Sequence, residues 1–337
     1  MPKNKKIIIN IALLITLIIV TFLIIFKDYD FVNTINIMLK AKTGYVALAI
    51  SAMLIVLLLE SVNIKLTLSM LGSKVNLFKV LKYTFIEFFF SGITPGGSGG
   101  QPVEIYYMKK EGIPATSSTL ALLIELCSYH IITIILGLIG LFLNHHLLTN
   151  GFAWIFILGL GLKIIVLTIM LIGLFSKSLS RLLVNIVIKV LKAFKYSKVD
   201  KVNSNLNEAL NTYNTGSKFI KEHKAIFLRS LFIVMLRIII YFSVTYFIYL
   251  SFGLNTYSYL EVISIQALLL VTVSSIPLPG SVGISENVFL NINEKIFTMQ
   301  YLPSSLLLSR GISFYLFMFI SLIVVIINTF YLKNKKS

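Results

Sequence analysis

Residues 93–107 read ITPGGSGGQPVEIYY and place four glycines and two prolines in an otherwise apolar region. An apolar segment, about 77–94, runs directly into them. Glycine adopts positive φ and proline removes a backbone donor, so both interrupt a helix. Irregular backbone at membrane depth is tolerated only where it is buried in protein or lines a wet cavity. This stretch therefore predicts a helix that breaks inside a membrane rather than an ordinary crossing.

The composition of the chain indicates a membrane protein. Of its 337 residues, 57% are hydrophobic and 13% are charged, which is too little polar surface for a soluble domain of this size. About 20 apolar residues span a bilayer. The first such run is predicted to be a retained helix, because Lys27 and Asp28 follow it instead of a small-residue cleavage site. The apolar stretches of spanning length fall near 7–26, 44–71, 117–143, 151–176, 226–252 and 305–332.

The basic residues that produce the formal charge of +17 are unevenly placed. They cluster before the first helix, on both sides of the first Pro/Gly stretch, in segment 177–224 and after the last helix. By the positive-inside rule, this predicts a multi-pass protein with both termini cytoplasmic. The richness in Ile, Lys and Asn fits an AT-rich bacterial genome, so the expected location is the bacterial cell (plasma) membrane. Segment 177–224 is either an amphipathic helix on the inner leaflet or a solvated linker. The charge carries no zinc-finger spacing or stacking platform, so we expect no nucleic-acid partner.

A second Pro/Gly cluster, SSIPLPGSVGISENVF at residues 274–289, shares Pro-Gly-x-x-Gly with the first. Each cluster follows an apolar half-segment and precedes a polar or acidic position, a linker, a proline and a long helix. In the charge model the first is entered from the cytoplasm and the second from outside, which is typical of an inverted repeat. We predict one domain, 1–337, with halves of about 44–176 and 226–332 joined by 177–224.

The predicted fold is thus an all-α polytopic membrane protein with about six transmembrane helices and two re-entrant Pro/Gly-tipped segments. A rival interpretation counts each half-segment as a full crossing and gives eight. Paired interrupted segments point to a midplane binding site in transporters, and exposed N–H groups at a half-helix start suit an anion such as a lipid phosphate. Two tight packing turns without a ligand remain the alternative. The predicted substrate-binding residues are Pro95, Gly96, Gly97, Gly99, Gly100, Gln101, Glu104, Glu125, Arg237, Pro277, Pro279, Gly280, Gly283, Glu286 and Arg310.

Charged residues within the apolar stretches are costly and usually face the protein interior. Arg237 and Arg310 either bind a lipid phosphate or pair with Glu125 and Glu286, and both interpretations stay open. Lysine and glutamate nearer the helix ends are interpreted as snorkelling to the surface; these are Lys65, Glu87 and Lys163.

The sequence gives no sign of catalytic chemistry, a metal site or a cofactor. It contains no P-loop, HExxH, nucleophile elbow or Rossmann fingerprint. The lone Cys127 excludes an internal disulfide and a cysteine cage. His145 and His146 have no carboxylate or cysteine beside them and are interpreted as loop residues.

TPGGSGGQPVE followed by a Ser/Thr-led helix, then IPLPGSVGISE followed by a helix bearing Arg310, resembles the lysylphosphatidylglycerol synthetase transmembrane-domain family. This is the flippase portion of the bacterial multiple peptide resistance factor. The resemblance implies movement of an anionic or aminoacylated phospholipid, such as lysyl-phosphatidylglycerol, between leaflets, and with it resistance to cationic peptides. The chain departs from the family in offering Gln101, Glu104 and only later Lys109 where a basic residue often follows the first motif.

Full-length members of that family also carry a soluble synthase domain that lysylates phosphatidylglycerol. Since this chain ends at Ser337, shortly after its last helix, we expect a stand-alone member that does not catalyse lysyl transfer by itself. Two other functions stay open: a membrane subunit or anchor for a separate soluble lysyltransferase or other lipid-modifying transferase, and a small-solute transporter. The sequence also leaves open whether the chain forms a homo-oligomer.

Overall fold

The computed structural model describes residues 29–144, 150–175, 222–274 and 278–334, together with Ile276 and isolated positions within 9–27 and 181–207. These residues form α-helices joined by short turns. The helices are α1 (Phe31–Leu39), α2 (Thr43–Met70), α3 (Leu77–Gly92), α4 (Gly100–Lys110), α5 (Ala115–Asn144), α6 (Asn150–Phe175), α7 (Lys224–Ser251), α8 (Tyr259–Val273), α9 (Ile284–Asn293), α10 (Leu302–Arg310) and α11 (Phe317–Asn334).

Five helices of the described part are long and apolar enough to cross a membrane. They are α2, α5, α6, α7 and the continuous run Leu302–Tyr331, in which a short π-helical segment, Gly311–Leu316, joins α10 to α11. These match five of the six predicted spans, and the sixth, near 7–26, lies mostly outside the described residues. The predicted all-α polytopic membrane fold is confirmed.

The half-segments are too short to cross singly. Helix α3 has 16 residues and α4 has 11, which correspond to roughly 24 Å and 16 Å against a hydrocarbon core of about 30 Å. Their counterparts α8 and α9 have 15 and 10 residues. This geometry favours two broken segments over the rival interpretation of eight full crossings.

Local signals in the sequence set where the half-segments begin. Asn76 caps α3, since its side chain accepts a hydrogen bond from the Phe78 N–H at 3.1 Å. Ser258 and Glu261 form a capping box at the start of α8, in which Ser258 N–H donates to Glu261 Oε2 at 2.7 Å. Both half-helices therefore start at defined polar residues and run into their Pro/Gly clusters.

The two Pro/Gly tips have matching backbone and touch each other. Gly96 and its counterpart Gly280 have φ of 59° and 57°, and the next residues, Gly97 and Ser281, have φ of 70° and 52°. Two consecutive residues with positive φ are the pattern of a type I′ turn. Pro95 and Pro279, 184 residues apart in the chain, form an isolated antiparallel β-bridge. Equivalent residues thus face each other in antiparallel fashion, as a local two-fold axis requires.

The helix packing is reciprocal between the two parts of the chain. Helices α2 and α7, which occupy equivalent places, pack against each other along their length. The first half-helix, α3, packs on α11, while its counterpart α8 packs on α5. The largest apolar core joins α2, α7, α8, α9 and α10. Because each half-helix packs on a long helix from the other part of the chain, residues far apart in the sequence come together in common cavities beside the bridged tips.

Candidate functional site

A cavity of about 300 Å³ lies next to the first tip and is lined by α2, α3, α4, α5, α7 and α8. Its apolar walls include Met53, Leu57 and Phe88. Three of its seven polar side chains are glutamates, so we call it the acidic cavity. The seven are Glu60, Glu87, Gln101, Glu125, Tyr129, Arg237 and Tyr241.

Arg237 forms the centre of the acidic cavity. Its Nη1 lies 2.8 Å from Glu60 Oε2 and its Nη2 lies 2.8 Å from Glu125 Oε1. The planar guanidinium fork can satisfy two carboxylates at once, and here it ties α7 to both α2 and α5. Arg237 and Glu125 are 7% and 5% exposed. Of the two open interpretations for Arg237, the structure shows the ion pair.

Two more carboxyl groups lie close to this ion pair. Glu87 Oε1 is 2.5 Å from the Ser91 hydroxyl, one turn along α3. Glu104 is 1% exposed and its Oε1 has no hydrogen-bond partner among the described residues. Glu104 lies one turn after the cavity-lining Gln101 on α4, so both occupy the same helix face. Snorkelling is therefore the wrong interpretation for Glu87, which lines an internal cavity.

Lys163 on α6 is also buried, at 1% exposure, so its predicted snorkelling is wrong as well. Its Nζ donates to Thr133 Oγ1 at 3.2 Å and lies 4.9 Å from the Tyr129 ring centre. The Arg237 guanidinium carbon lies 5.7 Å from the same ring, and both distances are within cation–π range. Tyr129 thus contacts two cations, one of which has its carboxylate partners in the acidic cavity.

A second cavity of about 200 Å³ lies next to the second tip, between α7, α8, α9 and α10. Hydroxyl groups dominate its polar lining, so we call it the serine cavity. The hydroxyls of Ser274 and Ser309 are buried and have no hydrogen-bond partner among the described residues. A ligand or water in the cavity would satisfy them. The polar lining residues are Tyr241, Thr245, Gln266, Ser274, Ser281, Ser285, Ser309, Arg310 and Ser313.

Arg310 fastens the second tip to the last span. Its Nε donates to Glu286 Oε1 at 2.8 Å and its Nη2 donates to the Gly280 carbonyl oxygen at 3.0 Å. The guanidinium carbon also lies 4.6 Å from the Phe314 ring centre. Arg310 sits directly before the π-helical segment, a feature that is frequent at functional sites. The predicted alternative of an Arg310–Glu286 pair is therefore what the structure shows.

Glu286 itself is engaged within the protein. Its Oε2 accepts hydrogen bonds from the Gly283 N–H at 2.7 Å and the Ser285 hydroxyl at 3.0 Å. A carboxylate thus already caps the start of α9, the place where the sequence suggested an external anion. Neither Glu286 nor Gly283 lines the serine cavity, while Gly280 and Arg310 do.

The two cavities share a wall. Tyr241 and Leu270 line both of them, one residue from α7 and one from α8. The acidic cavity lies on one side of this pair and the serine cavity on the other. A polar group that moved from one cavity to the other would have to pass these two side chains.

Apart from Arg310 and Glu286, which pair with each other, the predicted site residues separate into three groups. Gln101, Glu125 and Arg237 line the acidic cavity, with Glu104 buried one turn beyond it. The glycines after each proline shape the backbone of the tips, and a methyl group on Gly100 would lie 2.9 Å from the Glu87 carbonyl oxygen. Pro277 lies outside the described residues. The residues at the tips themselves are Pro95, Gly96, Gly97, Gly99, Pro279, Gly280 and Gly283.

Several site residues were absent from the predicted set. Glu60 was detectable as a carboxylate inside the apolar stretch 44–71, but nothing along the chain connects it to Arg237. Tyr129, Tyr241 and the serines of the second cavity carry no signal in the sequence, because hydroxyl groups are common in membrane helices. Their role becomes visible only when the helices are packed.

Outside the spanning helices, an ionic contact joins the start of α3 to the residue that follows α4. Lys82 Nζ binds Glu111 Oε1, and the Tyr83 hydroxyl donates to Glu111 Oε2 at 2.8 Å. Partial burial raises the pKa of Glu111, but the hydrogen bonds from Lys82 and Tyr83 outweigh it and leave that pKa below its usual value. Glu111 follows α4, so this contact fixes the returning half-helix against α3.

Comparison with known proteins gives consistent relatives. The sequence model of the protein family described as lysylphosphatidylglycerol synthase TM region matches residues 7–321 of this chain. A UPF0104 membrane protein of Archaeoglobus fulgidus is 26% identical over 276 residues, which cover 78% of this chain and 80% of that protein. A UPF0104 membrane protein of Pyrococcus horikoshii is 27% identical over 270 residues, covering 75% and 78%. With its broken helices, bridged tips and internal polar cavities, this chain belongs to the lysylphosphatidylglycerol synthase TM-region family.

Proposed function

We propose that this protein moves a phospholipid between the two leaflets of a cell membrane. The observation that carries the proposal is the pair of polar cavities that meet at Tyr241 and Leu270, beside the bridged tips. The family to which the chain belongs is associated with lipid modification, and this supports a lipid as the ligand. The headgroup would pass through the cavities while the acyl chains stay outside in the bilayer.

The exterior of the helices supports this division of roles. Large apolar side chains on α5 and α6 are exposed, among them Phe142 at 82% and Trp154 at 73%. Exposed apolar surface of this kind fits contact with acyl chains. The interior instead offers carboxylates, a guanidinium and hydroxyl groups, which fit a polar headgroup.

The serine cavity supports binding of the headgroup itself. Two buried hydroxyls, those of Ser274 and Ser309, have no hydrogen-bond partner among the described residues, and leaving such groups unpaired is unfavourable. A phosphate oxygen or a glycerol hydroxyl would satisfy them, and the Arg310 guanidinium lines the same cavity. The ligand class is therefore a phospholipid with an anionic or an aminoacylated headgroup.

Alternating access follows from the repeat that we infer. Equivalent tips in antiparallel contact and the reciprocal packing of α3 on α11 and α8 on α5 support two halves of opposite orientation. We place both termini in the cytoplasm on the basis of the lysine distribution. If the lipid is aminoacylated, its arrival in the outer leaflet lowers the negative surface charge and thereby contributes to resistance against cationic peptides.

Reconstituted vesicles test this proposal. Phosphatidylcholine vesicles with a trace of tail-labelled NBD-phosphatidylglycerol are treated with dithionite, which reduces only the label in the outer leaflet. We expect additional loss of fluorescence in vesicles that contain the protein, because the label moves outward. A second preparation uses tail-labelled NBD-phosphatidylethanolamine to establish which headgroup is preferred.

A matched pair of variants ties transfer to the cavity. Ser309→Leu fills the serine cavity and should slow transfer, while Ser69→Leu, at an exposed position on α2, should not. The proposal is contradicted if the wild type transfers neither lipid, or if folded Ser309→Leu transfers as fast as the wild type.

A further inference from the structure

The acidic cavity contains more carboxyl groups than its cations can balance. Glu60, Glu87 and Glu125 line it, Glu104 lies next to it, and Arg237 is its one cationic lining residue in the described part of the chain. The Glu104 carboxyl is within electrostatic range of the other three. If all four were ionised, a single guanidinium would face four negative charges. Uncompensated charges inside a membrane protein are strongly unfavourable.

Lys163 does not remove this imbalance. Its ammonium group lies against the Tyr129 ring and donates to Thr133 Oγ1, and it does not line the acidic cavity. Tyr129 also contacts Arg237. The carboxyl groups must therefore be neutralised in another way, by protons or by a cation that enters the cavity.

The hydrogen bonds of Ser91 point to a proton on Glu87. The Ser91 Oγ lies 2.5 Å from Glu87 Oε1 and 3.1 Å from the Gly97 carbonyl oxygen. Both neighbours are acceptors when Glu87 is ionised, and a serine hydroxyl has a single proton to donate. Both contacts become hydrogen bonds if protonated Glu87 donates to Ser91 and Ser91 donates to Gly97. A separation of 2.5 Å is at the short end for two oxygen atoms.

Glu104 provides an independent observation. It is 1% exposed, and its Oε1 has no hydrogen-bond partner in the described part of the chain. A buried carboxylate without donors is far less stable than the neutral acid. Glu104 is on α4, the helix that returns from the first tip.

Five of the six helices that line the acidic cavity contribute titratable or charged groups, while the lining residue from α8 is Leu270. On the far side of Tyr129 are Lys163 and His130. The groups that face the cluster are Glu60 on α2, Tyr83 and Glu87 on α3, Glu104 on α4, Glu125, Cys127 and Tyr129 on α5, and Arg237 and Tyr241 on α7.

We propose that the acidic cavity is a proton-exchange site that couples lipid transfer to proton movement, with Glu87 as the main carrier. In each cycle the Glu87 O–H bond breaks, the proton leaves to water on one side of the membrane and the carboxylate stays behind. The carboxylate then takes a proton from the other side, so charge and atoms balance. The coupling step rests on the lipid transfer proposed above, whereas the proton-binding step does not.

Infrared spectroscopy tests the proton-binding step without any lipid substrate. Folded wild type at neutral pH should show the absorption of protonated carboxyl groups, shifted in D₂O. Glu87→Gln and Glu104→Gln should each remove part of that band, while Glu261→Gln, at the exposed cap of α8, should leave it unchanged. Absence of the band from folded wild type, or a sodium-dependent loss of the band at constant pH, would overturn the proposal.

The coupling step is tested in the same vesicles as lipid transfer. With a pH gradient imposed in either direction, the initial rate of NBD-phosphatidylglycerol transfer should differ between the two directions in the wild type, and this difference should vanish in Glu87→Gln. Transfer that ignores the gradient would overturn the coupling while the proposed function stands. No transfer by the wild type, with the infrared band present, would instead remove the proposed function and leave the proton site.

Discussion

The acidic cavity and the serine cavity lie beside tips of matching backbone and differ in charge. Beside the first tip, one guanidinium binds carboxylates from two other helices and further carboxyl groups lie close by. Beside the second tip, Arg310 and Glu286 neutralise each other within one part of the chain, and hydroxyl groups line the space. The two tips have the same turn conformation, with φ of 59° at Gly96 and 57° at Gly280. The chemistry of each cavity therefore comes from the side chains that the packed helices add.

The largest expected effect is a difference in the free energy of unfolding between variants of the two arginines, Arg237 and Arg310. Arg237→Ala leaves the buried Glu125 and the partly exposed Glu60 without their shared partner, and breaking a buried pair costs about 3–5 kcal/mol. Arg310→Ala should cost less, roughly 1–3 kcal/mol, because Glu286 keeps the Gly283 N–H and Ser285 hydroxyl donors. Thermal unfolding in detergent measures both.

Arg229→Ala is the control for this prediction. Arg229 lies on α7, as Arg237 does, and among the described residues its Nη1 donates to the Met70 sulfur at 3.6 Å while its Nε and Nη2 have no hydrogen-bond partner. Arg229→Ala should change the midpoint of thermal unfolding little. Equal midpoints for Arg237→Ala and Arg310→Ala would show that the two arginines are equivalent and would remove the contrast between the cavities.

The next effect concerns the close contact behind the first tip. In Gly100→Ala the new methyl group would lie 2.9 Å from the Glu87 carbonyl oxygen and would collide with the Ser91 hydroxyl. We expect a loss of about 1–3 kcal/mol from overpacking, together with a displaced Glu87 and slower lipid transfer. Gly311→Ala, where no atom lies within 4 Å of the added methyl, should retain wild-type stability. An unchanged midpoint in Gly100→Ala would contradict the tight α3–α4 packing.

A smaller effect tests the equivalence of the two turns. Ser281 has φ of 52°, where its counterpart Gly97 has 70°, and a non-glycine residue in this region costs about 1–2 kcal/mol. Ser281→Gly relieves that strain. The greater conformational freedom of glycine in the unfolded chain offsets roughly 0.5–1 kcal/mol of this gain in stability. A slightly raised unfolding midpoint is therefore expected, and the reverse change, Gly97→Ser, should lower it. Opposite signs would show that the tips do not share one turn.

The smallest effect is pH-dependent and lies outside the spans. The pKa of Glu111 is below its usual value because the hydrogen bonds from Lys82 and Tyr83 outweigh partial burial. A lowered carboxyl pKa contributes stability that is complete above the unfolded-state value of about 4.3. This contribution disappears as the pH falls through the lower folded-state pKa.

Glu111→Gln should therefore flatten the acid side of the stability profile and leave the slope near neutral pH unchanged. The unfolding midpoint measured across acidic pH values checks this. An acid slope identical to that of the wild type would show that the Lys82–Glu111 contact contributes nothing measurable.

Much of the fold was predictable because it depends on local patterns. Apolar length placed five spans to within a few residues, and the Pro/Gly clusters marked where two helices break. Pairing of Arg310 with Glu286 was one of two open alternatives, since both lie in the same part of the chain. Residue type and spacing along one helix carry this information.

The site was less predictable because it depends on how helices are rotated against each other. Glu60 and Arg237 are far apart in the sequence and meet only where α2 packs on α7. Lys163 lies on a helix with many exposed apolar residues, yet its own side chain faces Thr133 on α5. The wall formed by Tyr241 and Leu270 likewise exists only in the packed structure.

Leaflet exchange across that wall tests the central claim most directly. Dithionite reduction of tail-labelled NBD-phosphatidylglycerol is followed in vesicles that contain wild type, Leu270→Trp or Leu228→Trp, the last at a position on α7 that is 65% exposed. The account predicts exchange by the wild type, its loss in Leu270→Trp because the larger side chain closes the passage between the cavities, and full exchange in Leu228→Trp. Folded Leu270→Trp protein that exchanges lipid as fast as the wild type would contradict it.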